Sequence, residues 1–396
     1  MLQWTPAGGQ APPRSRTSGE RITMETKDIY TETVRHFLEP VLPLLDDPSV
    51  TEILINGHRT IYFERDGKLN RAEMSFPSPA LLMAAARNIA EYTGRSIDDD
   101  NHSMDARLPD GSRVHVIVPP SSRNGVCVSI RKFKKSTFNL GSLVKSGSMS
   151  DEGREFLSLC VLLHKNMVIA GGTGSGKTSL LNALSTEIPE NERIVVIEDS
   201  SELQLNQPHT VYLEAQPAKP DGTGRVTIRD LFVDSLRMRP DRIVVGEIRR
   251  GEALDLVQSM ISGHAGSLTT VHATTANDAV IRLETLSLMS DVALPVHVAR
   301  TQVASAVQVI VQIGRFLDGS RKIRGITECL GLDDKGNYRF QDLYRFEAEG
   351  LNAEGRLLGE LRPTGAIPTF ADEVGQMGFQ DRVQLTKKLF SPAATA

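Results

Sequence analysis

The stretch that decides the fold lies near the middle of the chain and reads Gly171-Gly172-Thr173-Gly174-Ser175-Gly176-Lys177-Thr178. It fits the pattern G-x-x-x-x-G-K-[ST], follows an apolar run and opens an apolar helix, which is the context that this motif requires. Its glycines allow backbone N–H groups to curl around phosphate oxygens, and the helix N-terminus adds a positive dipole. Together with Ser179, the residues of this stretch are the predicted nucleotide-binding residues.

Two side chains of this loop are expected to act directly on the nucleotide. Lys177 would bridge the β- and γ-phosphates of ATP, and the hydroxyl of Thr178 would bind Mg²⁺. The sequence therefore predicts a nucleotide-binding α/β domain, with ATP as its substrate and Mg²⁺ as its cofactor.

Two acidic segments follow other apolar runs and are candidates for catalysis. Residues 243–247 read Ile-Val-Val-Gly-Glu, and a carboxylate at such a strand end holds the metal or the attacking water in phosphate-loop enzymes. Because Gly246 stands where an Asp is usual, Glu247 is expected to orient water. Glu198 begins the second segment, residues 198–202, whose carboxylates are expected to face the nucleotide crevice. A solvated strand end and acids placed at a helix N-terminus are the alternative interpretations.

A Gly-rich segment contains two histidines, His264 and His272, which flank a further apolar run. An imidazole can donate to a γ-phosphate or respond to its loss, so His272 is a candidate catalytic residue. Metal binding is not expected, because the strand between the two rings does not aim both of them at one ion. The alternative is a pair of histidines with purely structural roles.

The hydrophobic pattern changes along the chain and indicates separate domains. In the first third we predict a helix over residues 26–45, bent or broken at Pro40 and Pro43, then short strands, turns and an amphipathic helix over 80–92. After residue 150, helices alternate with apolar strands, which predicts a parallel sheet covered by helices. The predicted strands are Met167–Ala170, Arg193–Glu198, Arg242–Glu247 and Ser267–His272. A Gly- and Ser-rich stretch separates the two patterns. We predict a flexible leader (1–24), an N-terminal α+β domain (25–135), a linker (136–150), an α/β domain (151–346) and a C-terminal tail (347–396).

Composition excludes several classes of protein. Lys and Arg total 45 against 49 Asp and Glu, so the net charge of −4 offers no overall positive field for nucleic acid. The three cysteines are scattered and form no CxxC pair, which argues against a thiolate zinc site. No run approaches the ~18–20 apolar residues of a membrane span, and no signal peptide is recognisable. We expect a cytoplasmic protein that binds no nucleic acid directly and has no integral membrane span.

Taken together and in this order, the four segments resemble the type II/IV secretion ATPase family, and most of all its CpaF-like branch, which powers Tad (Flp) pili. The resemblance is carried by residues 236–249, Leu-Arg-Met-Arg-Pro-Asp-Arg-Ile-Val-Val-Gly-Glu-Ile-Arg, and by residues 263–273. It extends to the first half through residues 47–67 and 105–113. Two departures matter: the four-cysteine zinc insertion of the general-secretion branch is missing, and Ala265 stands where CpaF-like proteins usually have an acid.

The resemblance implies the architecture and further site residues. It implies a RecA-like P-loop ATPase domain preceded by a smaller α+β N-terminal domain, assembled into a homo-hexameric ring with the nucleotide between the domains. It also implies that Arg107, Arg113 and Arg131 of the first domain reach the phosphates, where guanidinium groups stabilise the charge of the transition state. The partner would be an inner-membrane platform protein, which would place the chain in the cytoplasm, peripheral to that membrane.

We therefore predict a hexameric ATPase motor that powers pilus assembly or protein secretion through a membrane platform. Its catalytic residues would be Glu247, with Glu198 nearby, Lys177, His272 and the three arginines. A nucleic-acid translocase or helicase on the same core is an alternative, against which the acidic balance and an aromatic content of 5% weigh. Two further alternatives are a type IV secretion traffic ATPase, as in conjugation, and a regulatory subunit that binds ATP without turnover.

Overall fold

The structure is a computed structural model that describes residues 31–65, 67–132, 139–218 and 222–390. The chain divides into two compact units, Met1–Lys134 and Lys135–Ala396. The predicted leader, residues 1–24, and the start of the linker lie outside the described residues. Among the helices that the described ranges contain, none combines the length and the apolar character needed to cross a membrane.

An antiparallel sheet with helices on one face forms the first unit. Its strands are β1 (Val50–Asn56), β2 (Ile61–Arg65), β3 (Lys68–Arg71), β4 (Ser103–Arg107), β5 (Arg113–Ile117) and β6 (Cys127–Arg131), in the order β3-β2-β1-β6-β5-β4. Residues 31–37 are helical, and a 3₁₀ turn (Glu39–Val41), helix α1 (Leu42–Asp46) and helix α2 (Pro79–Tyr92) follow. The predicted helix over 26–45 thus breaks at Pro40 and Pro43, which lack the N–H that a continuous helix needs.

Alternation along the strands places one face of this sheet in the core. Ile53 and Ile55 of β1 are fully buried, as are Val114 and Val116 of β5, whereas the residues between them are more exposed. Helix α2 covers that face with a stripe of buried apolar residues, and Ser78 caps it by accepting the Leu81 N–H. The opposite face of the sheet remains partly exposed in this unit.

The second unit is built on a mixed sheet whose strand order is β15-β14-β13-β12-β7-β11-β10-β8-β9. The strands are β7 (Met167–Ala170), β8 (Ile194–Glu198), β9 (Thr210–Glu214), β10 (Arg242–Val245), β11 (Leu268–Val271), β12 (Val309–Arg315), β13 (Arg321–Leu332), β14 (Tyr338–Leu351) and β15 (Leu357–Pro363). The helices are α3 (Leu140–Lys145), α4 (Asp151–Leu162), α5 (Lys177–Ser185), α6 (Ile228–Ser235), α7 (Glu252–Ile261), α8 (Ala276–Leu288), α9 (Val296–Ala306), α10 (Glu373–Gln376) and α11 (Lys387–Phe390), with a 3₁₀ turn at Gln380–Arg382.

The central strands β12, β7, β11, β10, β8 and β9 run parallel to one another. Strands β7, β8, β10 and β11 are buried along their whole length, because helices cover both faces of the sheet. Their carboxyl ends therefore meet at a single edge of the sheet, where ligands bind in open α/β folds. All the predicted site residues of this unit lie at this edge: Glu198 ends β8, Lys177, Thr178 and Ser179 are in the first turn of α5, and the others are in the loops after β7, β10 and β11.

The described part of the predicted linker, 136–150, is not a flexible connection. Residues 140–145 form α3, which begins with a capping box between Asn139 and Ser142. Leu140 and Leu143 are buried in the core of the second unit. The Gly- and Ser-rich composition reflects capped turns rather than an extended spacer, since Ser and Asn side chains satisfy helix ends.

The predicted tail, 347–396, is likewise folded over the residues that the structure describes. Strand β14 continues to Leu351, and β15 adds an edge strand to the sheet. Beyond β15, Phe370 and Phe390 pack against Phe156 of α4. The segment is also held by polar contacts that no local pattern reveals, including the carboxylate of Glu155, which accepts the backbone N–H groups of residues 384–386.

A fully buried arginine fixes the amino ends of the central strands. Arg242, the first residue of β10, is 0% exposed and donates to Glu192 Oε2 at 2.5 Å and to the Val161 carbonyl at 2.8 Å. A Cβ added to Gly266, which has φ +82°, would lie 2.1 Å from Arg242 Nη1. Burial opposes ionisation of Glu192, but His164 and Arg242 outweigh it and lower the pKa of this carboxyl to about 2.

Replacement of Arg242 by Met is expected to lower the free energy of unfolding of the second unit by about 3 kcal/mol, because Glu192 is left without its buried partner. The folded-state pKa of Glu192, about 2, lies below its unfolded value. The contribution is therefore full above about pH 5 and is lost as the pH falls toward about 2. Urea unfolding at pH 7 and pH 3 measures both effects. Arg345→Met, in an exposed pair with Asp342, is the control, and an equal loss there would contradict the prediction.

Candidate nucleotide-binding site

The predicted phosphate-binding loop begins where buried strand β7 ends. Gly174 and Gly176 have φ of +69° and +97°, a region that favours glycine, and Gly176 is the N-cap of α5. A Cβ on Gly171 would lie 2.5 Å from both the Ile313 carbonyl oxygen and Ser175 Oγ. The backbone can thus adopt this path only with glycine at these positions.

Donors of the loop converge on a single oxygen, the carbonyl of Gly172. Lys177 Nζ donates to it at 3.0 Å and Ser175 Oγ at 2.8 Å. Lys177 is only 8% exposed, so its ammonium is directed into the loop rather than into solvent. Thr173 is exposed on the loop and Ser179 is half-buried in the first turn of α5. Such a set of donors is suited to phosphate oxygens. A phosphate oxygen would replace the Gly172 carbonyl as their acceptor.

The hydroxyl of Thr178, the predicted Mg²⁺ ligand, contacts a carboxylate. Thr178 Oγ1 donates to Glu202 Oε2 at 3.1 Å. Glu202 belongs to the acidic segment of residues 198–202, whose carboxylates were expected to face the nucleotide crevice, although no catalytic or metal-binding role was assigned to Glu202 itself. A hydroxyl beside a carboxylate at the start of a phosphate-loop helix fits Mg²⁺, which binds through one or two protein oxygens, phosphates and waters.

Glu198 is placed differently from its neighbour Glu202. It is 4% exposed, and its Oε1 accepts the backbone N–H of Glu202 at 2.7 Å and of Leu203 at 3.0 Å. Glu198 therefore holds the turn that presents Glu202 to Thr178. The same side chain explains the glycine before Glu247, because a Cβ on Gly246 would lie 2.9 Å from Glu198 Cγ.

Glu247 lies between a histidine and an arginine. His272 Nε2 is 2.6 Å from Glu247 Oε1, and Arg249 Nε donates to Glu247 Oε2 at 2.8 Å. Arg249 also donates to Asp199 Oδ2 at 2.6 Å, which joins the loops after β8 and β10. Burial lowers the pKa of His272, and the charge of Lys177 lowers it further, although Glu247 opposes both. His272 Nε2 therefore lies beside Glu247 Oε1, and the surroundings of the imidazole hold its pKa below the ordinary value.

The two histidines of the Gly-rich segment lie at opposite ends of β11. His272 follows the carboxyl end of the strand, together with the other site residues. His264 precedes the amino end, where its carbonyl accepts the Ser267 hydroxyl at 2.9 Å. The structure therefore brings only His272 into the candidate site, whereas His264 lies in the turn before β11.

The three predicted arginines of the first unit form one row across three strands. Arg107 of β4 faces Arg113 of β5, and Arg113 in turn faces Arg131 of β6. They lie on the partly exposed face of the sheet. The strand register therefore places the three guanidinium-bearing residues at adjacent positions.

The chain matches the family model described as type II/IV secretion system protein over residues 35–349. It is 33% identical over 291 residues to a putative conjugal transfer protein of Mycobacterium tuberculosis, covering 72% of this chain and 82% of that protein. It is also 33% identical over 310 residues to the type IV secretion system protein PtlH homolog of Bordetella bronchiseptica, covering 72% of this chain and 91% of that protein.

Among solved structures, the pilus retraction motor PilT superimposes with a TM-score of 0.50 at 16% identity, covering 90% of this chain and 91% of that one. This likeness concerns the fold, and it confirms the predicted class: an α/β, RecA-like ATPase domain preceded by a smaller α+β domain. The match over residues 35–349 confirms the family that the sequence predicted. The chain belongs to the type II/IV secretion system protein family and is an ATPase of that family.

Proposed function

We propose that the protein is a motor that binds ATP with Mg²⁺ and uses its hydrolysis to drive secretion or pilus assembly. The observation that carries the proposal is the meeting of three groups at one sheet edge. They are Lys177 in the loop after β7, the Thr178–Glu202 contact at 3.1 Å, and the Glu247–His272 contact at 2.6 Å. These are the parts needed to bind phosphates, hold a metal and orient water.

ATP would bind with its β- and γ-phosphates inside the loop of residues 171–178. Lys177 would exchange the Gly172 carbonyl for phosphate oxygens, and the N–H groups at the start of α5 would supply further donors. Thr178 would hold Mg²⁺, with Glu202 beside it, and the metal would neutralise charge on the phosphates. No rearrangement of the fold is required, because the donors already point toward one oxygen.

Glu247 would orient the water that attacks the γ-phosphorus. The new bond forms between the water oxygen and phosphorus while the bond to the bridging oxygen breaks, giving ADP and inorganic phosphate. His272 lies beside Glu247 Oε1, and the second carboxylate oxygen can accept the proton of the water once Arg249 shifts from it. Lys177 and the arginines of the first unit would stabilise the negative charge that develops on the phosphate oxygens.

The resemblance of the sequence supports a role for Arg107, Arg113 and Arg131 at the phosphates of the nucleotide, where guanidinium groups stabilise negative charge. We propose that the functional unit is a homo-hexameric ring. The resemblance of the sequence to ring-forming relatives supports this stoichiometry.

The names of the relatives favour transport across a membrane. One is a putative conjugal transfer protein and another a type IV secretion system protein, while the fold is shared with a pilus retraction motor. We propose that this chain works in the cytoplasm on an inner-membrane platform protein. The residues at 236–249 and 263–273 support the CpaF-like, Tad-pilus branch, and the names of these relatives support type IV secretion as the alternative.

Lys177→Ala and Glu247→Gln are expected to separate binding from hydrolysis. Lys177→Ala removes the loop's ammonium and abolishes binding of a fluorescent ATP analogue. Glu247→Gln keeps the loop, so it binds ATP while phosphate release falls about 100-fold or more. Lys335→Ala, an exposed lysine in the turn before β14, is the control and retains both activities. Phosphate release by Lys177→Ala at the wild-type rate would refute the proposal.

Arg113→Ala is expected to lower kcat about 100-fold while ATP binding changes little, because an arginine that acts on the transition state contributes little to the ground state. Arg71→Ala, on edge strand β3 of the same sheet, is the matched control and retains activity. Steady-state phosphate release at saturating ATP measures the effect. Equal rates in both variants would contradict a role of the row in catalysis.

Phosphate release should be raised by membranes that contain the platform protein and should not respond to DNA. Purified protein is assayed alone, with single-stranded DNA, and with membranes from cells that do or do not express the machine. We expect only the membranes from cells that express the machine to raise phosphate release. Stimulation by DNA that declines steeply with salt would instead support a nucleic-acid translocase.

A further inference from the structure

The β12–β13 hairpin, residues 309–332, forms the outer wall of the phosphate-binding loop. A Cβ on Gly171 would lie 2.5 Å from the Ile313 carbonyl oxygen, and a Cβ on Gly176 would lie 3.3 Å from Arg321 Cδ. Gly171 is therefore needed because the hairpin backbone approaches so closely, and the Arg321 side chain packs against Gly176. The hairpin lies far from the loop in sequence, and none of its residues was predicted to belong to the site.

Two arginines face each other where the hairpin reaches the loop. Arg315 ends β12, Arg321 begins β13, and the two are directly paired in the ladder. Arg321 Nε donates to the Gly174 carbonyl oxygen at 2.9 Å. A Cβ on Gly174 would lie 3.7 Å from Arg315 Nη1, so the second guanidinium is adjacent to the same peptide.

The bond from Arg321 determines the direction of a donor inside the loop. The C=O and the N–H of a trans peptide point in opposite directions. Because Arg321 holds the Gly174 carbonyl on the outer side, the N–H of Ser175 points inward, where it lies 3.4 Å from the Gly172 carbonyl oxygen. That oxygen is also the acceptor of Lys177 Nζ and therefore marks where a phosphate oxygen would sit.

We propose that Arg321 is a positioning residue for ATP binding: from the hairpin, it orients the Gly174–Ser175 peptide so that the Ser175 N–H faces the phosphates. Its positive charge, together with that of Arg315, adds to the attraction for the anionic nucleotide. The inference rests on the proposed function, since it assigns a role in the same site. Arg321 acts through the loop backbone and is not itself placed on the reacting atoms.

Arg321→Ala should raise both the Kd of a fluorescent ATP analogue and the KM for ATP about fivefold, while kcat stays within about twofold. Loss of kcat with an unchanged KM would indicate a different role and overturn the proposal. Arg321→Lys keeps one donor and the charge and should restore most of the affinity. Arg339→Ala is the matched control, because Arg339 is also exposed and donates to a backbone carbonyl, that of Leu330, away from the loop.

Melting temperatures of all variants separate positioning from folding. If Arg321→Ala melts below the wild type, Arg321→Met, which keeps most of the side-chain volume without a donor, replaces it and should show the same rise in KM. A KM within about 1.5-fold of wild type in both Arg321→Ala and Arg321→Met overturns the inference, and so does an equal rise of KM in Arg339→Ala. Lys177→Ala is measured in parallel to separate failure of this inference from failure of the proposed function. ATP binding by Lys177→Ala would contradict the proposed function itself.

Discussion

The parallel pairing of the buried strands is the constraint on which the candidate site depends. Strand β7 pairs with β11, and β10 pairs with both β11 and β8, so four carboxyl ends are side by side. The loop of residues 171–178, the acidic segment after β8, Glu247 and His272 each follow one of these ends. Arg249 and Asp199, separated by 50 positions in the chain, thereby reach contact distance, which local structure alone cannot achieve.

Two buried charged side chains hold the central strands, one at the amino ends and the other at the carboxyl ends. Arg242, bonded to Glu192, ties the amino end of β10 to the carbonyls of Val161 and Gly266. At the carboxyl end, Glu198 accepts two backbone N–H groups and so presents Glu202 to Thr178. Buried charges need such partners, and each pair limits the positions that its loops can adopt. Gly246 follows from the same packing, since Glu198 occupies the space that a side chain there would need.

Much of the sheet was predictable because each central strand is a short apolar run between turn residues. Strand β7 has the predicted bounds, Met167–Ala170, and the loop after it is a local motif whose chemistry needs no partner to be recognised. Strand β9 was missed because it is a partly exposed edge strand with no buried run. The folded state of residues 347–390 was missed because long-range contacts hold them.

The contacts that complete the site are the least predictable part. Glu202 reaches Thr178 only through the turn that Glu198 holds, and Arg321 meets Gly174 across a separation of 147 positions. A single sequence contains the residue types for such contacts but not the distances that the packing of strands creates. Gly171 is the residue in the sequence that reflects this packing most clearly, because a side chain there would collide with the carbonyl of Ile313 in the hairpin.

The most direct measurement for this account is a structure of the chain with Mg²⁺ and a non-hydrolysable ATP analogue. We expect Lys177 Nζ to leave the Gly172 carbonyl and contact the β- and γ-phosphates, with the metal bound by Thr178 and with Glu247 facing the γ-phosphate. Phosphates bound away from the loop of residues 171–178, or Lys177 still bonded to Gly172 with the analogue present, would contradict it.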